Sequence, residues 1–499
     1  MKIPPSTPAA PFVLTLIGLG AFVTALDQTV VVTALPSIML DLKIPFIELD
    51  RVSWVVTAYL LGYTVAMPLI GRIGDVYGYS RVYQGGLVVF ILGTCLVAVS
   101  PNLEWMIGAR VIQAIGGGAT VPIGLALASN ALPPHQRGLA LGIVIAAAEA
   151  GSMLGPAYGG AIVKFLDWRW IFWLNVPQGA ILFLALFWLP NNPYREGKID
   201  YLGGTLLVAA LLVLSLAISR EGLFTFSSAT PFVMGIPGLV LVGILVFVER
   251  RTVQPLLSAL LFRSRAFLSA SLTQLLEGVA LIIAMVSIPL MADTVMGKDP
   301  FTGAMWLLRM TVAIPVGAVL GGRLLAVAGI RPVAIAGLGF TAVGLFLVST
   351  WDLDVAEPWL TLHLLIAGFG FGLNNTPIMT RALDAAGKDY QATAASLVVV
   401  SRMLGMTLGL AALAAWGVEH FQILTQGLEF PLQQIGESAA EVEARVTEYN
   451  AGLNDAGLSL LNNFFRVAGA AALVAILPAL AMGAERSFTE RDDPESQDS

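Results

Sequence analysis

Gly71-Arg72-Ile73-Gly74-Asp75-Val76-Tyr77-Gly78-Tyr79-Ser80-Arg81 is a short charged stretch between two apolar runs, and 251 residues further on the chain reads Gly322-Arg323-Leu324-Leu325-Ala326-Val327-Ala328-Gly329-Ile330-Arg331. Gly71, Asp75 and Gly78 keep the spacing of Gly322, Ala326 and Gly329, and both stretches are studded with arginine. A second pair agrees with the first: Gly151, Gly155 and Gly159 recur as Gly405 and Gly409 at an offset of 254. The chain thus reads as two related halves. Parallel six-helix halves around a site at mid-membrane are a transporter architecture.

Outward from these stretches the sequence is apolar. Charged residues make up 12% of 499 and hydrophobic ones 57%, a balance not expected of a water-soluble fold of this length. A hydrocarbon core of about 30 Å takes about 20 apolar residues per helix. By that measure spans fall near 11–34, 52–71, 82–100, 105–128, 138–162, 169–190, 201–219 and 231–248. A second series follows at 266–291, 302–327, 332–350, 358–380, 392–418 and 459–483. The expected fold is an all-α integral membrane protein with fourteen crossings. It divides into a six-helix half over 11–190, an inserted helix pair over 201–248, and a second six-helix half over 266–485.

Lysine and arginine set the orientation of such a chain. With the N-terminus inside, the inner segments hold sixteen of the 27 basic residues and the outer loops seven. Both termini are therefore expected in the cytoplasm, in a multi-pass protein of the inner membrane. Residues 1–11 hold one lysine and four prolines without a small-residue cleavage site, so the first span reads as a retained helix. Cys95 is the one cysteine and sits in an apolar run, which argues against a disulfide framework or a thiol metal cluster. No cofactor, metal or nucleic-acid partner is expected. The segment 419–458 lies outside in this topology, and its apolar positions Leu424, Leu428, Phe430, Leu432 and Ile435 suggest amphipathic helical extensions. It is either a docking or lipid-guiding element or a plain surface loop. The polar tail 486–499 is expected to be disordered.

A charge near the bilayer centre costs several kcal/mol unless paired or hydrated, roughly 2.5–3.5 on insertion scales, so ionisable residues inside spans are functional candidates. They are Asp27, Arg110, Glu149, Glu277, Arg309 and Arg402. Counting at 1.5 Å per residue puts Glu149 and Arg402 near the midplane, and Asp27 and Arg110 together in the outer half. Two acid–base relationships follow: Asp27 with Arg110, and Glu149 with Arg402. Desolvation favours the neutral carboxyl and a nearby arginine the charged one, so proton binding can follow conformation. The competing reading is a static ion pair that fixes packing. Glu277 and Arg309, on adjacent spans, either neutralise each other or join the transport machinery.

Gly151, Gly155 and Gly159 leave one helix face without side chains, where another helix can approach closely. Pro156 removes a backbone hydrogen bond beside them and invites a bend. Close packing alone explains the glycines; a bend beside Glu149 suits alternating access. Gly71, Asp75, Gly78 and Arg81 form a candidate conformational latch, in which Asp75 binds either the start of a neighbouring helix or an arginine.

Taken in order, these segments resemble the fourteen-span drug:proton antiporter branch of the major facilitator superfamily. The resemblance covers the whole chain and rests on five motifs. They are Leu26-Asp27-Gln28-Thr29-Val30-Val31-Val32 ending at Ala34-Leu35-Pro36, the loop 71–81, Arg110 with Gln113 and Gly116, the glycine run 151–160, and Trp168-Arg169-Trp170-Ile171-Phe172 leading to Asn175-Val176-Pro177. Within the branch the chain is most similar to mycobacterial-type triacylglyceride and lipoglycan exporters, also described as multidrug efflux pumps. That likeness is carried by 53–63, 313–319 and Val398-Val399-Val400-Ser401-Arg402-Met403 with Gly405-Met406. It implies roles for Asp27, Glu149 and Arg402 and for Arg110 in proton handling, and a periplasmic lipoprotein as a partner in lipid export. The chain departs from the family at Val76, Tyr79 and Ser80, where the loop motif usually has basic residues, which implies a weaker or differently made latch.

The functional expectation is a proton-coupled exporter of lipidic or amphipathic substrates working by alternating access, with multidrug:proton antiport as the alternative. A membrane-embedded lipid-modifying enzyme fits poorly, because His135, His363 and His420 lie in separate segments without a nearby nucleophile. A fixed channel suits the repeats and the proline-bent span less well than rocking halves.

Overall fold

The computed structural model describes residues 10–44, 49–188, 200–218, 230–252, 259–428, 430 and 438–483, and all regular structure among them is helical. Inside hydrocarbon each backbone N–H and C=O must be satisfied within the protein, which a helix does by itself. In chain order the helices are α1 Ala10–Val30, α2 Leu35–Asp41, α3 Leu49–Tyr77, α4 Tyr79–Ala98, α5 Leu103–Gly117, α6 Thr120–Ala131, α7 Arg137–Phe165 and α8 Trp170–Ala185. There follow α9 Tyr201–Ile218, α10 Thr230–Glu249, α11 Ala259–Arg263, α12 Arg265–Leu290, α13 Pro300–Ala328, α14 Ile330–Val348, α15 Glu357–Ala386, α16 Gln391–Thr425 and α17 Ala439–Leu480.

Among the described residues eleven helical stretches are long and apolar enough to cross a membrane. The expected spans at 201–219 and 231–248 fall on α9 and α10, whose apolar stretches Leu202–Leu214 and Gly235–Glu249 are shorter. That at 358–380 falls on α15, which interrupts its apolar run with Asn374, Asn375 and Arg381. Residues 1–9, the tail 486–499, Leu432 and Ile435 lie outside the described residues.

Two expected spans are built differently from a single rod. The first continues past residue 34 through a 3-10 turn, Val31–Ala34, into α2. Pro36 stands in the first turn of α2, where its missing N–H is no loss. The fourth is broken between α5 and α6 after the run Gly116-Gly117-Gly118. Successive glycines weaken a helix, and the Thr120 hydroxyl donates to the Gly117 carbonyl at 2.7 Å.

Glycines decide which helices meet backbone to backbone. On α7 a Cβ at Gly151, Gly155 or Gly159 would strike the backbone of α1 at Phe22, Leu26 or Val30. On α16 a Cβ at Gly405 or Gly409 would strike α12 at Leu275 or Val279. Thus α16 lies on α12 as α7 lies on α1. The same holds one layer away: Gly116 of α5 faces the Gly86 carbonyl and Phe90 nitrogen of α4, and Gly370 of α15 faces the Gly337 carbonyl and Thr341 nitrogen of α14.

Pro156 lies within α7, which runs unbroken through it. The N–H it lacks would have bonded the carbonyl of Ser152, four residues earlier. That carbonyl instead accepts from the Thr29 hydroxyl of α1 at 2.9 Å. Beyond the apolar region α16 extends to Thr425, and α17 starts at Ala439 under a capping box of Ser438 and Glu441. Helical extensions therefore carry 419–425 and 439–458, with the Phe430 ring 5.6 Å from that of Tyr449.

Candidate functional site

Asp27 and Arg110 are both fully buried. Arg110 Nη1 donates to Asp27 Oδ2 at 2.9 Å and to Gln113 Oε1 at 2.7 Å. The other carboxylate oxygen, Oδ1, accepts from Asn175 Nδ2 at 2.7 Å and Gln113 Nε2 at 3.1 Å. Gln113 also donates to Thr94, Arg110 Nε to the Val55 carbonyl, and the guanidinium lies 4.0 Å from the Tyr59 ring centroid. Side chains from α1, α3, α4, α5 and α8 thus converge on one buried pair. Ions this far from water persist only when paired and hydrogen-bonded.

Glu149 of α7 and Arg402 of α16 form the second pair: Arg402 Nη1 donates to Glu149 Oε1 at 2.6 Å. Asn375 of α15 reaches the same oxygen at 3.5 Å. This pair keeps some contact with solvent, at 14% exposure for the arginine side chain and 18% for the glutamate.

Asp75 binds the start of a neighbouring helix. Its Oδ1 accepts from the backbone N–H of Ala392 and from the Tyr79 hydroxyl, each at 2.9 Å. Oδ2 accepts from Thr393 N at 2.9 Å and Thr393 Oγ1 at 2.6 Å. A carboxylate at the first turn of α16 satisfies N–H groups that the helix itself leaves open and meets the positive end of its dipole. Tyr79 is one of the positions where the family motif is basic, so the contact is made with a phenol there. Gly71 permits it, since a Cβ would strike the Ala392 carbonyl. Gly78, at φ 96°, turns the chain from α3 into α4, a conformation glycine adopts without strain. Arg81 is exposed. Arg72 is the arginine that joins the contact, 4.4 Å over the Tyr390 ring.

Arg309 does not neutralise Glu277. It bonds to Glu357 at 2.5 Å and to Thr361 at 2.8 Å, both at the beginning of α15. Glu277 is fully buried on α12, and the charges that act on it are Arg402 and Glu149. Adjacency of two spans in sequence fixes neither rotation nor depth, and Glu357, at the edge of its span, is the acid at Arg309's own level.

Three further contacts are not expected from the residues. Arg137 at the start of α7 bonds Asp384 near the end of α15 at 2.5 Å, and Asn130 donates to Gln391 at 2.8 Å. Asn375 beside Glu149 is the third. Amides within apolar runs are the signal that singles out Asn375, whereas Arg137 and Asp384 look like ordinary loop charges. Toward the opposite end, Arg51–Glu104 and Arg169–Asp41 tie helices within α1–α8, and Arg309–Glu357 ties α13 to α15.

Comparison with known proteins gives the family. The model of the Major Facilitator Superfamily matches residues 17–410. A triacylglyceride transporter of Mycolicibacterium hassiacum is 37% identical over 427 residues, covering 81% of this chain and 78% of that protein. One of Mycolicibacterium smegmatis is 33% identical over 497 residues, covering 95% and 88%. Among solved structures, a proton:xylose symporter aligns with a TM-score of 0.62 at 14% identity over 94% of each chain. The human organic anion transporter MFSD10 aligns at 0.57 and 16% identity over 96% of this chain and 100% of its own. With the family model spanning most of its length and relatives above 30% identity, this chain belongs to the major facilitator superfamily.

Proposed function

We propose that the chain is a proton-coupled secondary exporter that carries lipidic or amphipathic molecules, triacylglycerides among them, to the outer side of the membrane by alternating access. As a member of this superfamily it is a multi-pass membrane protein and a transporter, not an enzyme. The observation that carries the mechanism is the Glu149–Arg402 bond, an acid of α7 held by a base of α16 with residual solvent contact. Protonating Glu149 removes the charge that holds Arg402, and the two helices are then free to part. Asp27 is the second proton site, tuned by Arg110. Asp75 on α16, Arg72 on Tyr390 and Arg137 on Asp384 close the end of the molecule that the arginine bias places in the cytoplasm. In this reading the chain crosses fourteen times with both termini inside, in halves 11–190 and 266–485 with 201–248 inserted. A periplasmic lipoprotein would take the lipid from the outer extensions of α16 and α17. The lipid substrate is supported by the names of the relatives.

The test is transfer of a fluorescent triacylglyceride analogue by the purified full chain in liposomes under an imposed pH gradient, with ethidium run in parallel. Gradient-driven lipid transfer that is lost in Glu149→Gln supports the reading. Transfer indifferent to the gradient overturns the coupling, and movement of ethidium alone replaces lipid export by multidrug antiport.

A further inference from the structure

Glu277 of α12 lies one helical turn before the counterpart of Asp27: the matched packing of α7 on α1 and of α16 on α12 pairs Phe22 with Leu275 and Leu26 with Val279, which carries Asp27 to Ala280. The matched packing of α5 on α4 and α15 on α14 carries Arg110 to Leu364, and Gln113 to Ala367, at an offset of 254. Leu364 and Ala367 are buried and apolar. The second half therefore carries a buried acid on the helix that corresponds to α1, but no counterpart of the base and amide that satisfy Asp27. Neither carboxyl oxygen of Glu277 has a hydrogen-bond partner among the described residues.

A donor without a partner stands nearby. The backbones of α12 and α16 touch beside Glu277, where a Cβ on Gly278 would strike the carbonyl of Arg402. Arg402 spends Nη1 on Glu149, while its Nε is buried without a partner among the described residues. The charged groups acting on Glu277 are Arg402 from α16 and, beyond it, Glu149 from α7. Among the described residues the other helices against α12, namely α11 with its Arg263, α13, α15 and α17, add none. An ionised carboxylate buried without partners is costly, whereas a carboxyl that carries its proton is not.

We propose that Glu277 is a third proton-binding site, which exchanges Arg402 with Glu149 during the transport cycle. With Arg402 on Glu149, Glu277 holds a proton. When Glu149 takes up a proton from water and releases the guanidinium, Arg402 turns to Glu277, which gives up its own proton to the water that reaches the pair. One proton enters and one leaves, Arg402 stays charged, and the number of charges in the cluster is unchanged. The exchange rests on the proton-coupled reading above, but its chemistry is measurable without transport.

Carbodiimide modifies buried protonated carboxyls, and mass spectrometry of the full chain in detergent at pH 7 locates the product. Glu277 is expected to be modified in the native protein. In Glu149→Gln, where Arg402 has only Glu277 to bind, modification should fall about tenfold, the change that one pH unit of proton affinity gives. It should return in Glu149→Gln/Arg402→Gln. Native protein unmodified at Glu277, or modified to the same extent in Glu149→Gln, overturns the exchange. If labelling follows the expected pattern while liposomes show no gradient-driven transfer, the exchange stands and the proposed function falls. If transfer is proton-driven and labelling does not respond, only the exchange falls.

Discussion

Glu149 and Arg402 stand 253 positions apart, one position short of the 254 that relates α7 to α16, and bond to each other at 2.6 Å. An internal repeat that sets an acid opposite a base at its own axis makes one contact serve both halves. Removing either member alone leaves the other's charge largely away from water. In a double-mutant cycle, Glu149→Gln and Arg402→Gln should therefore couple by about 1–3 kcal/mol. The measurement is thermal unfolding of the purified full chain, and additive effects would mean that the pair contributes nothing to holding α7 on α16.

The Asp27 cluster should respond more sharply, because the pair has no exposure at all. Asp27→Asn leaves the Arg110 guanidinium as a buried charge with only neutral partners, at a cost of about 3–5 kcal/mol. Asp27→Asn/Arg110→Gln should recover most of that loss of thermal stability while remaining unable to couple transfer to a pH gradient. If the double variant is no more stable than the single one, burial of the charge is not what destabilises it.

Asp75 holds α16 through two backbone N–H groups and a hydroxyl. Asparagine at this position has one acceptor oxygen and presents an amide N–H₂ where the carboxylate had its second. Loss of charge-assisted hydrogen bonds of about 1.5–3 kcal/mol each should open this end. On a Cys95→Ala background, Ser396→Cys next to Gly71 reports on the opening: labelling by a membrane-impermeant maleimide should rise about tenfold with Asp75→Asn, a shift of about 1.4 kcal/mol. An unchanged rate would mean that the contact does not control access.

How far all this was legible beforehand varies with the kind of signal. Asp27, Arg110, Glu149 and Arg402 stood out because a charge inside an apolar run is rare, and counting residues along the helix put each acid level with its base. For Arg309 depth alone does not give rotation, and its acid, Glu357, begins α15 instead of lying in the neighbouring span. The break between α5 and α6 is invisible to hydropathy, since Gly116, Gly117 and Gly118 do not interrupt an apolar average. The partner of the α7 glycines was not legible either. Small residues announce that some helix comes close, but that it is α1 follows only from the packing of the whole.

Along α7 the glycines are not equivalent, which gives an internal control. A Cβ at Gly155 would meet Thr29 and the Leu26 carbonyl of α1, whereas one at Gly160 meets nothing within 4 Å. Gly155→Ala should cost about 1–3 kcal/mol by forcing the helices apart. Gly160→Ala should stabilise the helix slightly, by about 0.5–1 kcal/mol. Equal melting temperatures for the two variants would exclude close approach as the reason for the stripe.

Thr29 and Pro156 allow the sharpest test of how α1 and α7 are joined. The proline ring deprives the Ser152 carbonyl of its helical donor, and the Thr29 hydroxyl takes that place from the neighbouring helix. Thr29→Val keeps the shape and removes the donor, leaving a carbonyl unpaired at a cost of about 1–3 kcal/mol. Pro156→Ala returns an N–H to α7, so in that background the carbonyl is satisfied from within its own helix and Thr29→Val should cost little. The two substitutions are thus expected to be less harmful together than their separate effects imply. If α7 also needs the inter-helix bond to bend during transport, the doubly substituted protein will be stable yet slow in gradient-driven lipid transfer. Full transport rate in that stable variant would assign Thr29 to packing alone.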